Sequence, residues 1–309
     1  MPAFTDSAFE VGPGPSRPLD RVLRDLHPGS SWNDVRRLVR TGKVRVNGAV
    51  ALEPSTPVAA GAKVAIQMAA PKPLGSSALP RDTLEYVDAH LVVVRKPPNI
   101  ATVPFEDERD TLDRLVQSLL RKTARPGTSV APLGVVQRLD KETSGLIVFA
   151  RTTTAKRGLQ QQFRDHSVRR SYRAIVHGNV ESRTIRSRLV QDRGDGVRGS
   201  TDRGDLGRDA VTHVRVLERL EGATFVECVL ETGRTHQIRI HLSEIGHPLV
   251  GERVYSRGYA GPLIEAPRLM LHAGELGFTH PVTGKMLEFH QPIPDDMAAV
   301  LARLGRPRG

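Results

Sequence analysis

Between Ala70 and Pro80 the chain carries Pro71, Pro73, Gly75, Ser76, Ser77 and Pro80. Proline lacks a backbone donor, and glycine and serine favour open coil, so this stretch supports neither a helix nor a central strand. It divides the 309 residues unequally, and a chain of this length is expected to form about two domains. The division expected is a flexible Pro- and Gly-rich tail over 1–16, a small unit over 17–72, a linker over 73–80 and a larger domain over 81–309. At 39% hydrophobic and 26% charged residues the chain reads as globular. No apolar run approaches the ~18 to 20 residues of a membrane span, so no membrane partner is expected. Met1 to Glu10 holds Asp6 and Glu10 without an apolar core, unlike a secretory leader. The single cysteine, Cys228, excludes an internal disulfide and a thiolate cluster. A cytoplasmic, monomeric protein without metal is the expectation.

Lys and Arg number 45 against 34 Asp and Glu, a net charge of +11. Such an excess suits a polyanionic partner, because each cation on a phosphate releases counterions; from charge alone a merely solvated surface is an equal alternative. Aromatics at 4% argue against long stacking platforms for single strands. The unit over 17–72 holds ten basic residues against four acidic ones. Ser31 and Asp34 make a capping-box-like start, Val35, Leu38 and Val39 follow at helical spacing, and Gly42 closes the helix. Arg36, Arg37 and Arg40 lie off that apolar stripe. Lys43 and Arg45 then lead into Asn47-Gly48, a hairpin signal. Exposed arginines followed by a basic hairpin suit phosphate contacts; the plainer reading is a charged helix face.

The larger domain alternates strand and helix patterns and is read as α+β, or mixed α/β. Leu91–Arg95, Val135–Leu139, Leu146–Phe149, Tyr172–Val176 and Phe225–Leu230 read as strands. Thr111 caps one helix, Ala155, Leu159 and Phe163 mark another, Pro281 to Gly284 joins a late hairpin, and Asp295–Leu304 is a terminal helix. Asp192–Asp209 reads as a mobile polar loop. Within it, Gly194 to Gly199 matches the glycine spacing of dinucleotide sites, but no helix pattern follows, so it is set aside.

Three polar clusters interrupt the apolar pattern. Gln137 to Gly145 (QRLDKETSG) lies between two expected strands, and Arg138 and Asp140, two apart, face the same way in extended backbone. A local turn with Asp140 or Thr143 as a cap explains it as well. Thr232 to His241 (TGRTHQIRIH) precedes a helix that Thr235 would cap and Gly246 would close, placing Arg239 in its first turns; Arg234 and Arg239 read equally as surface charges. His236, His241 and His247 match no common zinc spacing. Arg169 to Arg173 sets Tyr172 among three arginines, to stack on a base or fill a core edge. Cys228 shares a strand face with Val226 and Leu230 and reads as core.

Together these clusters resemble the RluA-type family of pseudouridine synthases. Lys96-Pro97 with Pro104 is similar to its first motif, Arg138 to Ala150 (RLDKETSGLIVFA) to its catalytic motif, and Arg170 to Ala174 (RSYRA) to its tyrosine motif. Gly233 to His241, with Gly246 to Gly251, is similar to its third motif, and Leu271 to Ala273 and Leu276 to Pro281 to its closing strands. The match spans about 85–295 in the family's order. The unit over 17–72, through Arg17 to Leu23, Val35 to Gly48 and Val58 to Val64, resembles a small RNA-binding domain first seen in a small-subunit ribosomal protein. The resemblance implies a central mixed, largely antiparallel sheet flanked by helices, and isomerisation of uridine to pseudouridine in structured RNA, with large-subunit ribosomal RNA as the expected substrate and no cofactor. It implies Asp140 as the catalytic carboxylate, as nucleophile or base, with Arg239 as its ion-pair partner. Tyr172 would stack on the flipped uracil and Arg138 would fill the vacated stack. Gln137, Thr143, Arg234, His236 and Gln237, with Arg36, Arg37, Arg40, Lys43 and Arg45, complete the expected RNA contacts. Gln137 departs from the family, which has His there. A tRNA substrate, a non-catalytic RNA-binding or ribosome-assembly protein, and a hydrolase are the rival readings.

Overall fold

The computed structural model describes residues 4–70, 79–104, 110–125, 127, 129–194, 197–256 and 258–305. The chain forms two compact units, residues 1–77 and 78–309. Residues 73–78 of the expected linker over 73–80 lie outside the described residues. Among the described residues, no helix is long and apolar enough to cross a membrane.

In the first unit, helices Leu19–Leu26 and Trp32–Arg40 pack on a four-stranded sheet ordered Ser7–Glu10, Lys63–Ile66, Val44–Val46, Ala49–Ala51. Ser31 caps the second helix by accepting from the Asp34 backbone N–H at 3.1 Å, and Val35, Leu38 and Val39 bury its apolar stripe. Asn47 and Gly48 both have positive φ, 49° and 83°, as a two-residue hairpin turn requires. The tail expected over 1–16 is not all tail: Ser7–Glu10 pairs antiparallel with Lys63–Ile66, and Val11 enters the core. The prolines and glycines around it gave the coil signal; the free edge of Lys63–Ile66 supplied the pairing that overrode it.

The second unit is built on one sheet, eleven-stranded among the described residues. Its order runs Gly199–Ser200, Arg183–Val190, Arg208–Leu220, Ala223–Leu230, Arg169–His177, Leu271–Thr279, Ser144–Ala150, Leu91–Lys96, Leu84–Val87. Met286–His290 pairs with Leu271–Thr279, and Gly134–Val135 with Ser144–Ala150. All pairings are antiparallel except that of Ser144–Ala150 with Leu271–Thr279. With six α-helices among the described residues, the mixed α+β expectation and its largely antiparallel sheet hold. Apolar side chains of Leu91–Lys96 and Ser144–Ala150 pack against helix Leu112–Thr123 on one face and helix Thr153–Arg164 on the other; Arg169–His177 joins the first face through Tyr172, Ala174 and Val176, while its Ile175 packs with Met297 and Val300 of helix Asp295–Leu304.

The sheet register brings distant residues into one row. Tyr172 stands opposite Cys228 on one side and Ala273 on the other, Ala273 opposite Gly145, and Gly145 opposite Lys96. Gly145 has φ 120°, and a Cβ there would strike the Ala273 backbone. Only glycine permits strands this close.

Three local expectations differ. The strand read over Val135–Leu139 pairs only at Gly134–Val135; the rest leaves the ladder to become a loop. The polar stretch Asp192–Asp209 contains the strand Gly199–Ser200, and Ser200 donates to Glu244 from both its N–H, at 2.8 Å, and its hydroxyl, at 2.5 Å. Residues 195 and 196 of that stretch, and so part of the set-aside glycine pattern, lie outside the described residues. Thr235 does not cap the helix of the Thr232–His241 cluster: Gln237–Glu244 begins two residues later, after His236 in the left-handed region at φ 59°. The Gln237 side chain, not a Thr hydroxyl, accepts the Arg234 backbone N–H.

Candidate active site

The loop 136–143 and the turn 233–239 face each other across a cleft of about 460 Å³. Its lining includes Gln137, Arg138, Asp140, Thr143, Arg170, Tyr172, Arg234, His236, Gln237 and Arg239. Leu139 anchors the first loop: its side chain is buried, its N–H donates to the Thr102 hydroxyl at 3.1 Å, and that hydroxyl donates back to its carbonyl at 2.8 Å. With Leu139 turned inward, alternation directs Arg138 and Asp140 into the cleft. Lys96, almost wholly buried, donates from Nζ to the carbonyls of Lys141 at 2.9 Å and Thr143 at 2.7 Å. Burial pushes its ammonium down to about 7, with the Asp140 charge pulling the other way.

Asp140 lies 3.5 Å from Arg239 Nη1 and 3.8 Å from His236 Nε2. Arg239 is itself held by Glu252, through Nε to Oε2 at 2.7 Å and Nη2 to Oε1 at 2.8 Å. Both side chains are buried. Glu252 Oε1 also accepts from the backbone N–H groups of Arg253 and Val254, at 3.0 and 2.9 Å. Burial alone would raise the Glu252 carboxyl; the Arg239 hydrogen bonds and charge outweigh it and hold it below its usual range. The Arg239 guanidinium lies 5.2 Å from the centroid of the Tyr255 ring, and Tyr255 Oη is 2.7 Å from His236 Nδ1. Arg239 thus keeps one amino group for Asp140 while a bidentate pair fixes its plane.

Tyr172 lines the cleft from its strand with 8% exposure, and burial raises its hydroxyl pKa, the nearby Arg170 opposing. Arg138 is exposed at the cleft rim. The Gln137 side-chain nitrogen and the Thr143 hydroxyl are buried without a partner among the described residues. Gln237 lines the cleft but is committed inside the protein: it accepts from Thr232 Oγ1 at 2.8 Å and donates to the Val211 carbonyl and Thr212 Oγ1, both at 3.0 Å. It braces the turn. Arg234 donates from Nε to the Asp209 carbonyl at 3.0 Å.

The five basic residues of the first unit have their described partners within that unit. Arg36 pairs with Asp20 at 3.0 Å and Arg37 with Asp34 at 2.8 Å. Lys43 donates to the Ala70 carbonyl, Arg45 to Gln67 and to the Gly48 carbonyl, and Arg40 is exposed. Sequence reasoning missed Glu252 and Tyr255, although both closely follow the Gly246–Gly251 segment. Lys96 was visible as a motif residue, but not as the clamp on the loop that bears Asp140.

Two buried imidazoles near the cleft make the fold acid-sensitive. His241 has Nδ1 2.9 Å from Thr212 Oγ1 and Nε2 3.0 Å from Ser187 Oγ, and His272 has Nδ1 2.9 Å from Ser144 Oγ. Burial pushes both from 6.5 to about 4. A folded pKa below the unfolded value favours the neutral ring, so this stability is complete above pH 6.5 and is lost as pH falls toward 4. Each shift corresponds to about 3 kcal/mol at full titration. Melting temperature is therefore expected to fall steeply over that window; a flat profile would refute the assignment.

Residues 90–244 match the model of a family described as RNA pseudouridylate synthase, and residues 17–64 that of the S4 domain. The ribosomal large subunit pseudouridine synthase D of Zymomonas mobilis is 37% identical, over 93% of this chain and 93% of its own. That of Pseudomonas aeruginosa is 36% identical over 97% and 95%, and an uncharacterized RNA pseudouridine synthase of Bacillus subtilis 37% identical over 94% of each. Among solved structures, human RNA pseudouridylate synthase domain containing 4 superposes with a TM-score of 0.60 at 24% identity, covering 72% of this chain and 93% of that one. Human RNA pseudouridylate synthase domain containing 1 gives 0.56 at 25% identity, covering 71% and 86%.

Proposed function

We propose, since this chain belongs to the RNA pseudouridylate synthase family and is therefore an isomerase acting on RNA, that it converts specific uridines of large-subunit ribosomal RNA to pseudouridine, with Asp140 as the catalytic carboxylate. The observation that carries this reading is Asp140 3.5 Å from a guanidinium that a buried carboxylate holds in place, in a cleft that Tyr172 also lines. In the reaction the bond from ribose to N1 breaks, the uracil turns, C5 bonds to the ribose, and the proton on C5 is exchanged for one on N1. The sum is an isomerisation and consumes no redox equivalent.

Each side chain then has a physical task. Arg239 offsets the cost of holding Asp140 charged in a partly dry pocket. A uridine inside a helix is unreachable, so it flips out at a cost of a few kcal/mol. Arg138, at the rim, fills the space it leaves, and Tyr172 lies against the uracil face. One base is read in one pocket, which suits a chain with only 4% aromatics. The names of the relatives and the S4 match support ribosomal RNA over tRNA. The reading takes the protein as a monomer that acts in the cytoplasm.

The test is to map pseudouridines in ribosomal and transfer RNA from cells with and without the gene. Loss of a large-subunit rRNA pseudouridine is expected; loss only from tRNA redirects the substrate, and no loss at all overturns the reading. The first unit is assigned to phosphate contact through Arg37 and Arg40. Arg37→Gln with Arg40→Gln is expected to lower the slope of log affinity against log salt by about 2, one for each phosphate released. An unchanged slope removes that helix from the RNA surface.

A further inference from the structure

Arg170 lies two residues before Tyr172 on the same cleft wall and is only 7% exposed. The neighbouring arginines of its strand are committed to carboxylates. Arg169 is 3.3 Å from Glu275, and Arg173 is 2.6 Å from Glu227 and 2.9 Å from Glu275. Among the described residues, Arg170 has no carboxylate within ion-pair distance. Its Nη2 donates to the Glu231 carbonyl at 3.0 Å, its guanidinium lies 5.5 Å from the centroid of the Phe163 ring, and its Nε is buried with no acceptor. A buried guanidinium with one neutral acceptor is costly, and such charges are normally paired.

The surroundings favour an anion from outside the chain. Arg164 and Arg234 line the same cleft, and among the described residues that line it Asp140, already beside Arg239, is the only carboxylate. The orphaned Gln137 amide nitrogen and Thr143 hydroxyl add two further donors there. Gly233 leaves the room that Arg170 Nη1 occupies, since any Cβ at that position would strike it.

We propose that Arg170 anchors a phosphate subsite inside the cleft, taking a non-bridging oxygen of the RNA backbone beside the uridine that lies against Tyr172, with Arg234 at its flank. This rests on the synthase reading and deepens it. A planar guanidinium suits a phosphate better than a point charge. The contact fixes where the nucleotide sits and carries no sequence information.

The test measures affinity of the full chain for a large-subunit rRNA transcript across salt concentrations. Arg170→Met is expected to lower the slope of log affinity against log salt by about 1 and to raise KM more than it lowers kcat. Arg170→Lys is expected to restore the slope. Gly233→Ala, which crowds Nη1 without removing the charge, is expected to raise KM likewise. A folded Arg170→Met with unchanged slope and KM overturns the proposal. Should that variant not fold, phosphate-ethylation interference with the unaltered protein decides. Interference at a phosphate next to the modified uridine supports the subsite, and none there overturns it. Failure of the synthase reading shows separately, as unaltered protein that makes no pseudouridine while the slope still depends on Arg170.

Discussion

Asp140→Asn is expected to abolish pseudouridine formation and to leave RNA binding intact. The substitution keeps the shape of the side chain and removes its charge and its capacity to act as nucleophile or base. A loss of at least ~10⁴ in single-turnover rate, or ~5.4 kcal/mol of barrier, is the expected scale for a group on which the bond-breaking step depends. Affinity should stay the same or improve slightly, since a carboxylate in a cleft lined by arginines repels phosphate. The fold should hold: Asp140 is partly exposed, and Arg239 retains its bidentate partner Glu252. Mass spectrometry of the product RNA, alongside a binding isotherm, separates the two effects. Turnover near the wild-type rate would remove Asp140 from its role.

Arg239→Met is expected to damage both chemistry and fold, and the two losses are separable. It leaves the Glu252 carboxylate in a site with no side-chain exposure and only backbone N–H partners. Breaking one partner of a buried pair typically costs about 3 to 5 kcal/mol, which in a protein of this size lowers the melting temperature by roughly 10 °C. Pairing it with Glu252→Gln removes the stranded charge, and most of the stability should return. Activity should not return, because Asp140 would still lack its cation. Denaturant titration of the single and double variants measures this coupling. A single variant as stable as the parent would show that the pair does not brace the site.

The local elements were legible where a short stretch of chain contains its own signal. Ser31, Gly42 and Asn47-Gly48 specify a cap, a stop and a turn through atoms a few residues away. The strands Arg183–Val190 and Arg208–Leu220 were missed because both are rich in polar and charged residues; their pairing to each other and to Ala223–Leu230 outweighs weak local preference. Thr235 looked like the better cap, yet His236 in the left-handed region starts the helix. The buried Gln237 amide, bonded to Thr212 and to the Val211 carbonyl, holds the turn from a distant strand.

The same division runs through the cleft. The order of residues along the chain was enough to identify the family and to single out Asp140, Tyr172 and Arg239, because their motifs are contiguous and chemically distinctive. It could not show that Lys96 clamps the loop bearing Asp140 from 45 residues away, that Glu252 orients Arg239, or that Arg170 is buried with its Nε unpaired among the described residues. Those relations depend on strand register and on which charges share a low-dielectric space. Both arise only once Gly145 lets the parallel strands close on each other.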